Sequence, residues 1–373
     1  MFFKSSRNKK ALRVLLDSYA QDIAAHFSLA KESVPAEWFH LDAKVLTVTL
    51  PFACQSQHDE LTRIILQNAH AKEQGIDKVQ INTQIPSFAT HKDAVINIKN
   101  IVAVSSGKGG VGKSATAVNL AYALLQEGAR VGILDADIYG PSIPTMLGNK
   151  TASPASSDNK TMTPISAHGI VANSIGYLVP EEDAAVWRGP VASKALLQLL
   201  NETRWPVLDY LIVDMPPGTG DVQLTMAQQV PLTAAIVVTT PQDLALADAQ
   251  KGIAMFDKVD VPVVGLVENM SAYVCDNCGH VAHIFSKLGG SRLAERYALP
   301  LLGSLPLSLS IREYADAGTP LLLKADKSDA EKQIAQMYQA VAIQMGAQLS
   351  AGLELRAEQS SHLKGDPIAI QIE

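Results

Sequence analysis

Cysteine is scarce in this chain. Its 373 residues hold three, Cys54, Cys275 and Cys278. That is too few for a disulfide framework, which excludes the small secreted scaffolds and fits a reducing, cytosolic compartment. Long apolar runs are missing too, and nothing reaches the length of a membrane span. The N-terminus is locally basic at Lys4, Arg7, Lys9, Lys10 and Arg13, but the short apolar piece that follows is broken by Asp17. It lacks a small-residue cleavage site, so no export signal is expected. Positive charge is not in excess, since the net charge is -6, and this argues against nucleic acid as a partner. Internal repeats are absent. Charged residues make up only 18% and hydrophobic residues 47%, a balance that excludes disorder and leans towards buried parallel strands. The length suits two or three domains.

What the chain does contain is the stretch Gly107-Lys108-Gly109-Gly110-Val111-Gly112-Lys113-Ser114. It satisfies G-x-x-x-x-G-K-[ST]. The β-branched run Ile101 to Ser105 before it reads as a buried strand, and Ala115 to Leu125 behind it has helical spacing up to Gly128. A strand, a glycine loop and a helix start are what a phosphate cradle requires. Successive backbone N–H groups turn inward, the helix terminus adds partial positive charge, Lys113 reaches the β- and γ-phosphates, and the Ser114 hydroxyl ligates Mg²⁺.

The rest of the chain is consistent with that centre. Residues 1–90 read as a small α+β domain, with helices near 12–27 and 59–71 and strands at 45–50 and 79–82. The polar segment Ser87 to Asp93 reads as a linker. Residues 91–345 alternate strands (101–105, 131–135, 208–213, 234–239, 263–267) with helices (114–127, 191–202, 222–229, 244–257, 290–297, 307–316). This α/β alternation predicts a P-loop fold with a mostly parallel sheet, helices on both faces, and ligands at the carboxyl ends of the strands. Residues 151–160 form a polar surface insertion, and residues 346–373 read as a loosely held tail.

Acids close two of the expected strands. Leu211-Ile212-Val213-Asp214 has the Walker B form, so Asp214 is expected to hold Mg²⁺ directly or through water. Asp135 and Asp137 follow Val131 to Leu134 at the same sheet edge. Pro216 to Asp221 is a glycine-rich loop placed to sense a γ-phosphate. Further on, Cys275-Asp276-Asn277-Cys278 offers two thiolates, half of what zinc or an iron–sulfur cluster takes. His280 and His283 are the candidates to complete a zinc site within one chain. They follow Cys278 so closely that a tight loop would be needed, and Val281-Ala282 gives no sign of one. The other route is a two-fold dimer, whose two thiol pairs make a Cys₄ site for one bridging [4Fe–4S] cluster.

Lys108 narrows the class. Lys-Gly-Gly-Val-Gly-Lys resembles the deviant Walker A of the MinD/ParA group of dimeric ATPases, and the resemblance implies that Lys108 crosses a two-fold interface to the partner's nucleotide. Several longer stretches are similar to the Mrp/ApbC family of iron–sulfur cluster carrier ATPases. They are Ile98 to Ser114, Asp135-Ala136-Asp137-Ile138-Tyr139-Gly140-Pro141-Ser142, Trp187-Arg188-Gly189-Pro190, Asp214 to Asp221, Thr239-Thr240-Pro241-Gln242, Glu268-Asn269-Met270-Ser271 and the cysteine pair. Together they span roughly residues 95–345.

The resemblance implies a homodimer that binds and hydrolyses ATP with Mg²⁺, holds a labile [4Fe–4S] cluster, and passes it from a cluster scaffold to recipient apo-proteins. In it Asp137 positions the attacking water, Asp135 and Asp214 serve Mg²⁺, Asn269 reads adenine, and Cys275 with Cys278 holds the cluster. Ala115 departs from the family, which usually has threonine there, and removes a hydroxyl from the α-phosphate. The N-terminal domain faintly resembles a small domain found in many relatives and in cluster-assembly factors, with Cys54 either at that domain's cysteine-bearing turn or a partly buried thiol. Two rival readings remain at this point. One is a positioning ATPase of the MinD/ParA type, against which stands the acidic, polar stretch Gly352 to Ser360 where a basic amphipathic anchor would lie. The other is a zinc-stabilised nucleotide-binding scaffold.

Overall fold

The computed structural model describes residues 3–69, 72, 75–88, 94–179, 189–275 and 278–362. It divides into two compact units, one of residues up to 52, 56–84 and from 346 on, the other of 53–55 and 85–345.

The smaller unit contains α1 (Phe3–His26), β1 (Phe39–Asp42), β2 (Val45–Leu50), α2 (His58–Gln67) and β3 (Lys78–Thr83). Its sheet runs β1-β2-β3, antiparallel and then parallel. In β2 the period-two pattern buries Leu46, Val48 and Leu50 and leaves Val45, Thr47 and Thr49 half-buried, as expected for a strand with one covered face. Phe27, Phe52 and Trp38 stack edge-on in the core, the first two at 4.9 Å between ring centroids. β1 escapes the sequence reading because it is four residues long and follows directly on a single helical turn at Ala36–Trp38.

The larger unit carries β4 (Ile98–Ser105), α3 (Lys113–Gln126), β5 (Val131–Asp135), α4 (Ile143–Met146), β6 (Ile165–Ala167), β7 (Ile170–Ser174), α5 (Gly189–Asn201), β8 (Leu208–Asp214) and α6 (Asp221–Gln229). These are followed by β9 (Ala234–Thr239), α7 (Asp243–Lys258), β10 (Val263–Glu268), β11 (Tyr273–Val274), β12 (Val281–Ala282), α8 (Gly289–Arg296), β13 (Leu301–Ser304), α9 (Leu309–Asp316) and the first half of α10 (Asp329–His362), whose residues from Gly346 on are counted with the smaller unit. An eight-stranded sheet has the order β13-β10-β9-β4-β8-β5-β7-β6. All of its pairs are parallel except β6 with β7. From β4 through β5 to β6 the chain travels one way along the sheet, and the parallel crossovers from β7 onwards travel the other. Right-handed connections then put α3 on one face and α5 to α8 on the opposite one. On that second face Leu134, Leu211, Val213, Val237 and Leu266 form one buried cluster with Leu196, Met226, Phe256 and Leu293.

The expected mostly parallel P-loop sheet is therefore present, with β13 added at one edge and β7 and β6 at the other. Register brings the chemistry together. Asp135 at the end of β5 lies directly beside Asp214 at the end of β8, which lies beside Val104 at the end of β4.

The reading of residues 346 onwards as a tail needs correction. α10 continues through Gly346 to His362. The turn after Gly346 buries Ala347, Leu349, Ser350 and Ala351, a set with only one large apolar residue. Of the expected linker, Ser87 and Phe88 are anchored on β4 through Lys99 O and Asn100 Oδ1, and 89–93 lie outside the described residues. Trp187 and Arg188 lie outside them as well. Among the described residues no helix is long and apolar enough to cross a membrane.

Candidate functional site

The glycine loop leaves β4 at Ser105, whose hydroxyl accepts from the buried Gln223 amide of α6. Gly110 and Gly112 both take the left-handed conformation at φ +81°, which a side chain rarely adopts. Close packing adds to this. A Cβ on Gly107 would lie 2.2 Å from the Asp248 carbonyl carbon of α7, and one on Gly112 would lie 2.2 Å from Asn269 Nδ2. Asn269, just past β10, donates from that nitrogen to Val111 O at 2.8 Å. Lys108 Nζ donates to Gln242 Oε1 at 3.1 Å. Ala115 leaves a gap in hydroxyls that Thr116 does not fill, because the Thr116 side chain donates back to Gly112 O at 2.9 Å.

Lys113 opens α3 and is 6% exposed. Its Nζ lies 2.6 Å from Asp214 Oδ1, 3.3 Å from Ser114 Oγ and 3.9 Å from Asp137 Oδ2. The ammonium therefore stands amid the acids at the mouth of the loop, where phosphates would compete for it. Burial pushes the Asp214 carboxyl upward and Lys113 opposes that shift. Asp135 is wholly buried, and burial together with the neighbouring Asp214 pushes it up to about 7. Its Oδ1 accepts from Asp137 N, and its Oδ2 from Ile143 N and Ser174 Oγ. Asp135 thus fastens the 135–143 loop, with Asp137 at the start of that loop. Burial raises Asp137 also, against Lys113. Asp214 Oδ2 is fully buried without a hydrogen-bond partner. An orphaned carboxylate oxygen beside a serine hydroxyl is a donor set that suits Mg²⁺.

The cysteine pair sits elsewhere on the same unit. β11 and β12 form a short antiparallel ribbon, and the turn between them is closed by Cys275 N to His280 O at 2.9 Å and Gly279 N to Cys275 O at 2.8 Å. Cys278 is exposed and Cys275 half-buried. Exposed apolar side chains crowd the sequence around them at Val274, Val281, Ile284, Phe285 and Leu288. His283 does not join the thiols. Its Nδ1 is bonded to Ser271 O at 3.0 Å, and among the described residues no three His, Cys, Asp or Glu side chains converge on a metal site. Among the described residues the single-chain zinc site is therefore not formed. Cys54, by contrast, is buried completely in the core.

The structure gathers Gly107 to Ser114, Asp135, Asp137 and Asp214 at one sheet edge, and brings Asn269 onto the loop from β10. Sequence reasoning assigned no part to Gln242, Gln223 or Ser174. Gln242 was within reach, since it closes the Thr239 to Gln242 stretch. Ser174 ends a strand too short and polar to be recognised.

A strand-loop-helix cradle with a lysine set among buried acids, on a parallel sheet of this order, defines a P-loop nucleoside triphosphatase. A ParA-type family model described as NUBPL iron-transfer P-loop NTPase matches residues 97–342, and the chain belongs to that family. An iron-sulfur cluster carrier protein of Escherichia coli is 53% identical over 313 residues, 83% of each chain. The iron-sulfur cluster transfer protein NUBPL of Mus musculus is 49% identical over 256 residues, 68% of this chain and 80% of that one. Among solved structures, a nucleotide-binding protein of Archaeoglobus fulgidus in complex with ADP, with cobalt, is similar at a TM-score of 0.54 and 36% identity, covering 60% of this chain and 87% of that one.

Proposed function

We propose that this chain is an ATPase that works as a homodimer, carries a labile [4Fe–4S] cluster between its subunits, and hands it to apo-proteins in a reducing compartment. The observation that carries the reading is the cysteine hairpin: two thiols on an accessible turn, no third ligand gathered beside them among the described residues, and an apolar rim around them. Two thiolates suit half a cluster, and an exposed apolar rim suits a second copy. The names of the relatives support the cargo.

In this reading the loop N–H groups and Lys113 bind the triphosphate, Ser114 and Asp214 hold Mg²⁺, and Asp137 orients the attacking water. Bound Mg²⁺ supplies positive charge on the phosphate oxygens. Asp135 serves the ion indirectly by shaping the loop that carries Asp137. Asn269, which reaches the loop from β10, reads the base. Lys108 leaves Gln242 and reaches the phosphates of the partner subunit, adding positive charge where it develops. The test is transfer. Chain loaded without oxygen is mixed with an apo [4Fe–4S] dehydratase in the presence of an iron chelator. Recovery of dehydratase activity, absent with a Cys275→Ala/Cys278→Ala variant, is expected; recovery that the chelator abolishes, or that the variant matches, would defeat the proposal.

A further inference from the structure

The nucleotide loop and the cysteine hairpin are joined by one short, pinned piece of chain. Asn269 and Cys275 are six residues apart, so the segment between them spans at most about 20 Å. Its near end is bound to the phosphate loop: Asn269 Nδ2 donates to Val111 O at 2.8 Å, and its backbone N–H holds the end of β9 through Thr239 O at 2.8 Å. Its middle is held as well. Ser271 N and Oγ both donate to Leu305 O, at 2.9 and 3.0 Å, Leu307 N donates to Ala272 O at 2.8 Å, and Tyr273 bridges Leu307. Met270 sits at φ +55°, a conformation that non-glycine residues keep only where their surroundings enforce it. Its far end is the hairpin, where His283 Nδ1 closes on Ser271 O and Cys275 N on His280 O.

A slack linker would absorb a displacement of the loop. A strap with this many fixed hydrogen bonds transmits it. We infer that Asn269 is the positioning residue that couples nucleotide to thiols: its carboxamide clamps the Val111 carbonyl, so a change in loop geometry on nucleotide binding moves the strap 269–275 and alters how Cys275 and Cys278 are presented. An asparagine amide carries two N–H donors, so one can remain on Val111 while nucleotide occupies the site. Linkage makes the effect mutual for binding: whatever factor nucleotide imposes on the thiols' affinity for a ligand, that ligand imposes on nucleotide affinity. The inference rests on the reading of the loop as a nucleotide site, and its test separates the two.

The full chain, free of cluster and reduced, is alkylated with iodoacetamide, and labelling of Cys275 and Cys278 is followed by mass spectrometry with and without a saturating non-hydrolysable ATP analogue and Mg²⁺. Analogue binding is measured in parallel by calorimetry. The expected result is a change in labelling rate of about fivefold or more in the wild type, at the lower end of usual coupling strengths, and of less than about twofold in Asn269→Ala at analogue concentrations that saturate it. Full retention of the change in Asn269→Ala overturns the inference, as does a wild type that binds the analogue with no change in labelling. A wild type that takes no analogue sinks the nucleotide reading and the coupling with it. Where Asn269→Ala fails to fold or bind, His283→Ala decides. Wild-type analogue affinity with a reduced labelling change supports the strap, and an undiminished change refutes it.

Discussion

Lys113 and Asp214 solve each other's burial, and each is placed badly without the other. The pair is 2.6 Å apart with side chains 6% and 0% exposed. Removing one member of such a pair typically costs about 3–5 kcal/mol because a buried charge is left behind. Lys113→Met should therefore lose nucleotide binding and also unfold at lower temperature, while Lys113→Met/Asp214→Asn should regain most of the stability and none of the binding. Thermal unfolding together with nucleotide titration checks this; equal stability of the two variants would contradict it. Asp209 illustrates the opposite balance. Burial pulls its carboxyl upward, but hydrogen bonds from Arg130 and Lys99 outweigh that and hold it at about 2. Because the folded value lies below the free-carboxylate value of about 3.9, the stability it contributes is present above about pH 4 and is lost as pH falls towards 2. Asp209→Asn should be less stable than wild type by on the order of 2 kcal/mol at pH 7. In urea unfolding at pH 3 that deficit should narrow; a constant deficit would show that Asp209 acts by packing alone. At this scale the place of the glycine loop and of the acids at one sheet edge was legible because their side-chain chemistry is tied to a motif. Gln242 and Gln223 were not, since an amide has no fixed partner until the fold supplies one.

Elements carry the loop's geometry. Gly110 and Gly112 share φ +81°, yet a Cβ on Gly110 would meet nothing within 4 Å, whereas one on Gly112 would strike Asn269 Nδ2 at 2.2 Å. Both alanine variants bear the cost of a left-handed residue, and only Gly112→Ala also displaces the β10 end from the loop. Gly112→Ala should lose nucleotide affinity by about tenfold or more with far-ultraviolet dichroism unchanged, and Gly110→Ala should lose less; the reverse order would contradict the packing argument. The five central strands could be read because each is a continuous apolar run closed by a polar or acidic residue at the sheet edge. β6, β7 and β13 run three to five residues, and their pairing comes from tertiary neighbours that a local pattern does not contain. The continuation of α10 past Gly346 was hidden for a different reason. Ala347, Ser350 and Ala351 are buried without registering as a hydrophobic stripe.

For the whole molecule, the proposed function depends on a second copy. In one chain Lys108 rests on Gln242 and the hairpin offers two thiols, and in the proposed dimer both sites would gain a group from the same association. Lys108→Ala should bind ATP with Mg²⁺ at close to wild-type affinity and hydrolyse it on the order of a hundredfold more slowly or worse, the loss typical of removing one transition-state donor. Steady-state turnover with a parallel binding measurement tests this, and undiminished turnover would remove the contact in trans. Cys275→Ala/Cys278→Ala should keep ATP binding while taking up no iron. The most direct measurement is native mass spectrometry of the chain reconstituted without oxygen, with ATP and Mg²⁺ present. The account predicts one [4Fe–4S] cluster for every two chains in a single dimeric species. A monomer that carries its own cluster, or a dimer that carries none, would contradict it.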